Sequence, residues 1–485
     1  MDLRRTKDFL EEGTFKVQAT TTRPRITVTA DGAGVVSHAG SRLVADVADR
    51  STLTGELSAA LDRLRRPRAV HDPGRVLLDM ALAVADGATT ISEIAVLGDQ
   101  RDLFGAVASD STCWRLLDRL GTADLSAVAA GRAAAREIVW AQRAETAGAP
   151  FPPARAAGRV LPGLVIDLDA AIVVCHSEKE RAAPTFKGSF GFHPLMAFCD
   201  NTNEFLSGML RKGNAGSNTT ADHIAVLDAA LAQIPDAQRH GTPILVRVDG
   251  AGCTKDFLTH IRSLRGNAVQ TGFSVGWSIT ARERAAITAI PAKVWADAID
   301  ADGEHRDGAG LAEITGLLPA RTLTEYPAGM RVIVRRERPH PGAQLDLFEE
   351  ADGFRYTAFA TDTATGQLAH LDARHRAHAR VEDRIRCAKD TGLDHFPSRT
   401  FAINTAWLTA VMIAVDLLAW TQLLLLNGHL AKAEPKTLRY RLLHVAARLT
   451  RGQRRTWLRI QRSWPWARDL AAAFARLNQI PVPAA

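Results

Sequence analysis

The chain has 485 residues, 46% hydrophobic and 23% charged, the balance of a globular protein rather than a disordered or fibrous one, and long enough for roughly two to four domains. Its five cysteines, Cys113, Cys175, Cys199, Cys253 and Cys387, are widely spaced and form no CxxC pair, which argues against a disulfide framework or a zinc ribbon and suits a reducing cytosol. The net charge of +7 is carried by residues 401–485, so a polyanionic partner is expected, with a merely basic surface as the competing reading.

Met1 to Lys7 is followed by Phe9-Leu-Glu-Glu-Gly13 rather than an apolar run, so no export signal is expected and a cytoplasmic location is. Leu43, Val44, Val47, Leu53, Leu57 and Leu61 recur at helical spacing, and Pro73 to Asp86 predicts a helix with proline at its start. Ser109 to Thr112 precede Cys113-Trp114-Arg115, a helix start that could present Arg115 to DNA as in helix-turn-helix proteins, or could simply bury its tryptophan. Gly148-Ala-Pro-Phe-Pro-Pro153 is a joint, which makes residues 1–155 a helical amino-terminal domain.

Leu164 to Val174 is a β-branched run interrupted by Asp167 and Asp169, which share one face of a strand. Strand-like runs at Gly191–Cys199 and Glu204–Leu210, a helix at Thr220–Leu231, a strand at Ile244–Val248 ending in Asp249, a helix at Lys255–Leu264 and a strand at Phe273–Ile279 follow. The predicted order is β-β-β-α-β-α-β over residues 156–280. Residues 281–367 change to short alternating runs, a β-rich insertion in which Trp295 could stack on a base, although a tryptophan on such a strand usually packs inward.

Residues 368–426 predict a helix carrying Glu382 and then an apolar helix, Phe401–Leu426. The latter is long enough to span a bilayer, but Asp416 and Gln422 favour burial against the sheet. On the first helix, His375, His378, Glu382, Arg386 and Lys389 fall on one face, either as a solvated surface or as a carboxylate among phosphate-binding cations. The i,i+3 pair His375 and His378 lacks further ligands for zinc, and the loop Lys212–Thr219 lacks the Lys-Ser/Thr ending of an ATP-binding loop. Residues 427–485 are expected to be helical and basic, with Arg454 and Arg455 at the centre of the charge.

Asp169, Asp249 and Glu382, from three separate segments, are the acids that two Mg²⁺ (or Mn²⁺) ions about 4 Å apart would need for phosphodiester cleavage and transfer. Val165-Ile-Asp-Leu-Asp169-Ala, Phe190-Gly-Phe-His-Pro194, Arg211-Lys-Gly-Asn-Ala-Gly-Ser-Asn218, Arg247-Val-Asp249 and Arg380-Val-Glu382-Asp-Arg-Ile-Arg386 together resemble the DDE transposases of bacterial insertion sequences, most closely the thirteen-eighty family. The resemblance runs from Val44 to Leu477. It implies an α/β protein whose RNase H-like catalytic core, a mixed five-stranded sheet with helices, is interrupted by the β-rich insertion. It also implies catalytic and metal-binding roles for Asp169, Asp249 and Glu382, with Asp167 as the alternative first acid or its supporting neighbour. DNA-contacting roles follow for Lys389, Arg386, His378, His375, Arg115, Arg454 and Arg455. The family's signature around its glutamate has tyrosine where His375 stands and arginine where His378 stands. The implied function is binding of terminal inverted repeats, DNA cleavage and strand transfer, performed by a dimer on double-stranded DNA at the bacterial nucleoid. A nuclease without strand transfer, or a DNA-binding derivative with impaired catalysis, are the alternatives.

Overall fold

The structure is a computed structural model that describes residues 26–481 except 177, 217, 218, 340, 341, 343 and 453. The first residues of the chain, and Ser217 and Asn218 of the loop after Lys212, lie outside the described residues. A short strand β1 (Val35–Val36) leads into helices α1 (Ser41–Arg50), α2 (Leu53–Ala60) and α3 (Pro73–Asp86). Asp72 caps α3 by accepting the Arg75 amide at 2.9 Å, ahead of Pro73 in the first turn. Helices α4 (Asp110–Arg119) and α5 (Thr122–Ala147) follow.

A nine-stranded sheet forms the centre. Its strands are β2 (Leu164–Ala170), β3 (Leu195–Cys199), β4 (Phe205–Met209), β5 (Ile244–Val248), β6 (Thr271–Trp277), β7 (Ala296–Ile299), β8 (His305–Glu313), β9 (Arg331–Glu337) and β10 (Arg355–Thr361), in the spatial order β7-β8-β9-β10-β6-β5-β2-β3-β4. β2, β5 and β6 run parallel, whereas β3 and β4 join antiparallel as a hairpin. Helices α6 (Thr220–Leu231) and α7 (Lys255–Ser263) supply the crossovers. The first five strands therefore lie in the order third, second, first, fourth, fifth. Leu164, Val165, Ile166 and Leu168 of β2 are all buried, as expected of a parallel strand covered on both faces. The strands of residues 281–367 continue this same sheet: β10 pairs antiparallel with β6, and β9, β8 and β7 add outward.

After the sheet come α8 (Leu368–Arg376), α9 (Arg380–Ala388), α10 (Phe401–Leu425), the strands β11 (Ala447–Gly452) and β12 (Arg455–Ile460), and α11 (Ala467–Gln479). The basic carboxy-terminal region is thus not wholly helical, contrary to the expectation. Arg448, Arg451, Arg455 and Arg459 sit on a β-hairpin that pairs with β1. The alternation of Arg455-Thr-Trp-Leu-Arg-Ile460 with β-branched and aromatic residues favours a strand, and Arg454 holds the turn with φ +60°.

Helix α10 is mostly buried. Its Asp416 accepts from Arg132 Nη2 at 2.7 Å, Arg136 Nη2 at 2.6 Å and the Phe205 amide at 3.0 Å. Arg136 Nε also donates to Glu204 at 2.7 Å, which takes Trp140 and Trp420 indoles as well. This buried network bolts α5 and α10 to the edge strand β4. Because removing one partner strands the other charges in the interior, Asp416→Ala is expected to lower unfolding free energy by roughly 3–5 kcal/mol, read as a reduced urea midpoint with an unchanged slope.

Candidate active site

Two acids two residues apart on β2 face different surroundings. Asp167 is fully buried and receives a bidentate grip from Arg247, Nε at 2.7 Å and Nη2 at 2.8 Å, with His378 Nδ1 at 3.0 Å. The parallel register sets Arg247 directly opposite Asp167. Burial opposes ionisation of Asp167, but the Arg247 guanidinium and His378 outweigh it and hold the carboxyl below the usual range. Asp167 is thus tied into the interior, Oδ1 accepting from Arg247 and His378 and Oδ2 from Arg247.

Asp169, at the end of β2, is only partly buried, and its Oδ1 accepts the Ala170 amide at 2.7 Å. Continuing the register beyond Val248 opposite Leu168 brings Asp249 alongside it. Burial pushes the Asp169 carboxyl up to about 6, and the negative charges of Asp249 and Glu382 add to that shift. Both charges are close enough to act on Asp169 electrostatically. Asp249 is exposed and caps its own tight turn, Oδ1 accepting the Ala251 amide at 3.0 Å. The turn is backed by Gly276, where a Cβ would stand 2.6 Å from the Gly250 nitrogen, so a side chain there would displace the acid. Glu382 is exposed in the first turn of α9. The ligating oxygens of the three acids do not all lie within 4.8 Å of one another.

Helix α9 is positioned by ion pairs on its inner side. Asp200, in the turn after β3, accepts from Arg247 Nη2 at 3.0 Å, Arg380 at 2.5 Å and Arg384 at 2.8 Å. Lys389 Nζ donates to the Ile172 carbonyl at 2.8 Å, just beyond Asp169. Asp200, Arg247, Arg380 and Arg384 were not among the expected site residues. The pairs Asp167-x-Asp169 and Arg247-x-Asp249 on neighbouring parallel strands carried the signal, since one register serves both.

The single-face arrangement of the glutamate helix is corrected. Residues 377–379 form a 3₁₀ turn between α8 and α9, and three residues at about 120° instead of 100° slip the phase by about 60°. His375 consequently faces inward, stacked on Phe359 at 4.6 Å with its Nδ1 3.0 Å from Ser274 Oγ. Burial, with His378, Arg247 and Arg374 nearby, pushes its pKa down to about 3, so it offers no charge to phosphate. His378 is also turned inward, onto Asp167. Arg386 pairs with Asp383 at 3.1 Å and Glu434 at 2.9 Å. Arg115 is exposed, its Nε donating to the Ser111 carbonyl at 2.9 Å, and Trp114 beside it is 44% exposed instead of buried. Arg454 and Arg455 are exposed at the hairpin tip. Trp295 carries the Arg336 guanidinium 4.3 Å over its ring, which occupies that face.

An Asp whose folded pKa exceeds its ordinary 3.8 keeps its proton longer folded than unfolded, so the stability it contributes is present at low pH and lost as pH rises through that window. Asp169→Asn retains an acceptor for the Ala170 amide and removes the penalty. Metal-free Asp169→Asn should therefore melt above wild type at pH 7, by up to about 3 kcal/mol, and match it near pH 4. Thermal melts at the two pH values check this.

Comparison with known proteins gives three findings. The family model described as "Transposase DDE domain group 1" matches residues 18–482. No functionally curated protein matches. Among solved structures, a cryo-EM structure of piggyBac transposase in a synaptic complex with hairpin DNA is similar at TM-score 0.38 and 9% identity, over 83% of this chain and 80% of that one, a likeness too slight to bear on the site. With its family model spanning nearly the whole chain, this protein belongs to the DDE-domain transposases of group 1.

Proposed function

We propose that this DDE transposase is that of a bacterial insertion sequence of the thirteen-eighty type, acting in the cytoplasm on its own element's terminal inverted repeats. The observation that carries the reading is that Asp169 near the end of β2 and Asp249 just after the neighbouring parallel strand β5 fall side by side, with Glu382 of α9 close enough to act on Asp169 electrostatically. The strand order third, second, first, fourth, fifth, with an antiparallel hairpin on one side, supports an RNase H-like core. The donor set, three carboxylates of which one is pushed toward neutrality by burial and by the charges of the other two, fits hard divalent cations. Asp169, Asp249 and Glu382 would hold two Mg²⁺ or Mn²⁺ ions, which when bound supply Lewis-acid stabilisation to the attacking and leaving oxygens of a phosphodiester.

The chain's own groups do the rest. Asp249 keeps one oxygen on its turn and leaves the other for the site. The buried Asp167–Arg247–His378 cluster fixes β2 against β5 and α9, so the acids keep their spacing when DNA enters. Lys389 lies beside the loop after Asp169, where its charge suits a phosphate. His375 and His378 serve the interior, so their departure from tyrosine and arginine leaves the acid cluster intact. Arg454, Arg455, Arg451 and Arg448, with Trp457 48% exposed among them, form a cationic ribbon suited to flanking DNA, and Arg115 borders a groove shared with Arg66, Arg68 and Arg119. Two such chains would bring both element ends into one synaptic complex.

Three outcomes are expected. Wild type excises a marked element from a donor plasmid and joins a labelled end to a target, while Asp249→Ala and Glu382→Ala do neither; excision by both variants at wild-type levels would overturn the assignment, and cutting without joining would identify a nuclease. Mg²⁺ or Mn²⁺ raises the melting temperature at pH 7 far more than at pH 4.5, where Asp169 is protonated. Replacing Arg454 and Arg455 by alanine reduces the slope of log affinity against log salt by roughly one for each phosphate no longer neutralised.

A further inference from the structure

Away from the acid cluster, three segments far apart in sequence converge on one carboxylate. Asp86 is the last residue of α3, and its side chain is only 4% exposed. His38 Nδ1 stands 2.6 Å from Asp86 Oδ2, and His444 Nε2 stands 3.3 Å from Oδ1 and 2.8 Å from the Asp86 carbonyl. The two imidazole rings are 4.4 Å apart, tilted by 47°. Among the described residues, these are the one set of three His, Cys, Asp or Glu side chains whose ligating atoms all lie within 4.8 Å of one another.

The scaffold holds the three in place. Ala39 and Gly40 amides donate to the Val445 and Leu443 carbonyls at 3.0 Å. The approach is so close at Gly40 that a Cβ would fall 1.9 Å from the Leu442 oxygen. His38 takes φ +52°, an uncommon conformation for a residue with a side chain, and it turns the ring back onto Asp86. Ser41 Oγ donates to Asp86 Oδ1 and orients the carboxylate. Arg439 Nε donates to the Ala85 carbonyl at 2.9 Å and closes the end of α3.

We propose that His38 Nδ1, Asp86 and His444 Nε2 form a Zn²⁺ site that staples the amino-terminal segment to the carboxy-terminal hairpin. Two imidazoles and a carboxylate suit a borderline metal and not the hard Mg²⁺ of the acid cluster, which prefers oxygen alone. Zinc–ligand bonds of about 2.0–2.2 Å put tetrahedral donors roughly 3.3–3.6 Å apart: the His444–Asp86 separation of 3.3 Å already fits, the His38–Asp86 pair at 2.6 Å must open, and all three ligating atoms lie within 4.8 Å of one another. The His38 and His444 side chains are 27% and 38% exposed, which gives the ion an approach and leaves a fourth position for water. Binding replaces the protons shared between the imidazoles and the carboxylate, and these pass to solvent. The pairing of β1 with β11 begins two residues before His38 and three after His444, so the ion would fix the root of the arginine-bearing hairpin.

The test uses the full chain carrying Asp249→Ala and Glu382→Ala, so that the acid cluster does not contribute. After Zn²⁺ loading and dialysis, metal content is counted by mass spectrometry, and Co²⁺ titration is followed by visible absorption. One equivalent of zinc and tetrahedral cobalt bands are expected, both lost in His38→Ala and His444→Ala and weakened at least about tenfold in Ser41→Ala. His444→Gln, whose amide still reaches the Asp86 carbonyl, guards against loss through misfolding: it should keep the wild-type circular dichroism and lose the cobalt bands. Zinc content unaltered by both histidine substitutions, or no cobalt spectrum and no zinc-dependent rise in melting temperature before substitution, would overturn the site and leave a hydrogen-bonded His–Asp–His triad.

Discussion

The bidentate pair between Arg247 and Asp167 sits where the sheet, the glutamate helix and the acid cluster meet. Its two members are opposite each other on parallel strands and both fully buried. Burying them costs desolvation that their attraction alone does not reliably recover. What the pair supplies is registration. Arg247 reaches on to Asp200, and Asp200 takes Arg380 and Arg384 of α9. A slip of one strand by one residue, or a rotation of α9, would leave several charges unpaired in the interior, so competing arrangements are penalised by several kcal/mol each. The positions of Asp169, Asp249 and Glu382 are therefore set by charges that lie behind them.

The same electrostatics gives the two aspartates of β2 opposite surroundings. Asp167 is surrounded by a guanidinium and an imidazole and stays ionised, whereas Asp169, one pleat further on, faces two other carboxylates and is pushed up to about 6. Chemically identical groups separated by one intervening leucine thus differ in protonation behaviour because Asp167 has a fixed guanidinium to offset its burial, whereas for Asp169 burial and neighbouring carboxylates act together. An acid of the second kind is the one that gains most from a divalent ion. This argues for Asp169 over Asp167 on physical grounds, a choice that strand alternation alone left open since both project from the same face.

Much of this was legible in the residue pattern, and what was not has identifiable causes. The apolar runs and turn signals located β2 to β6 with their two crossover helices, and the acids at strand ends followed from them. The helical wheel failed at His375 because three residues of 3₁₀ geometry, which no periodicity reveals, intervene before α9. The hairpin of β11 and β12 was obscured by arginines, whose abundance hides the alternation of Thr456, Leu458 and Ile460 with their neighbours. The His38–Asp86–His444 cluster joins residues 48 and 358 positions apart, and only the packed fold brings them together.

The extension of the sheet by β7 to β10 also explains how the glutamate reaches the acids. The chain leaves β6 at the carboxyl end that it shares with the parallel strands β2 and β5 and returns to the opposite end of the sheet. It does so along β10, which pairs antiparallel with β6 from Ser274 opposite Thr361 to Trp277 opposite Ala358. Helix α8 then starts beside the sheet and is held by Asp372, whose carboxylate accepts from Arg335 of β9 and Arg376 at 2.8 Å each. His375 seals the junction by stacking on Phe359 of β10 and meeting Ser274 of β6. The inserted strands consequently do more than lengthen the sheet: their last member and the neutral histidine against it determine where α9 begins, and hence where Glu382 stands relative to Asp169.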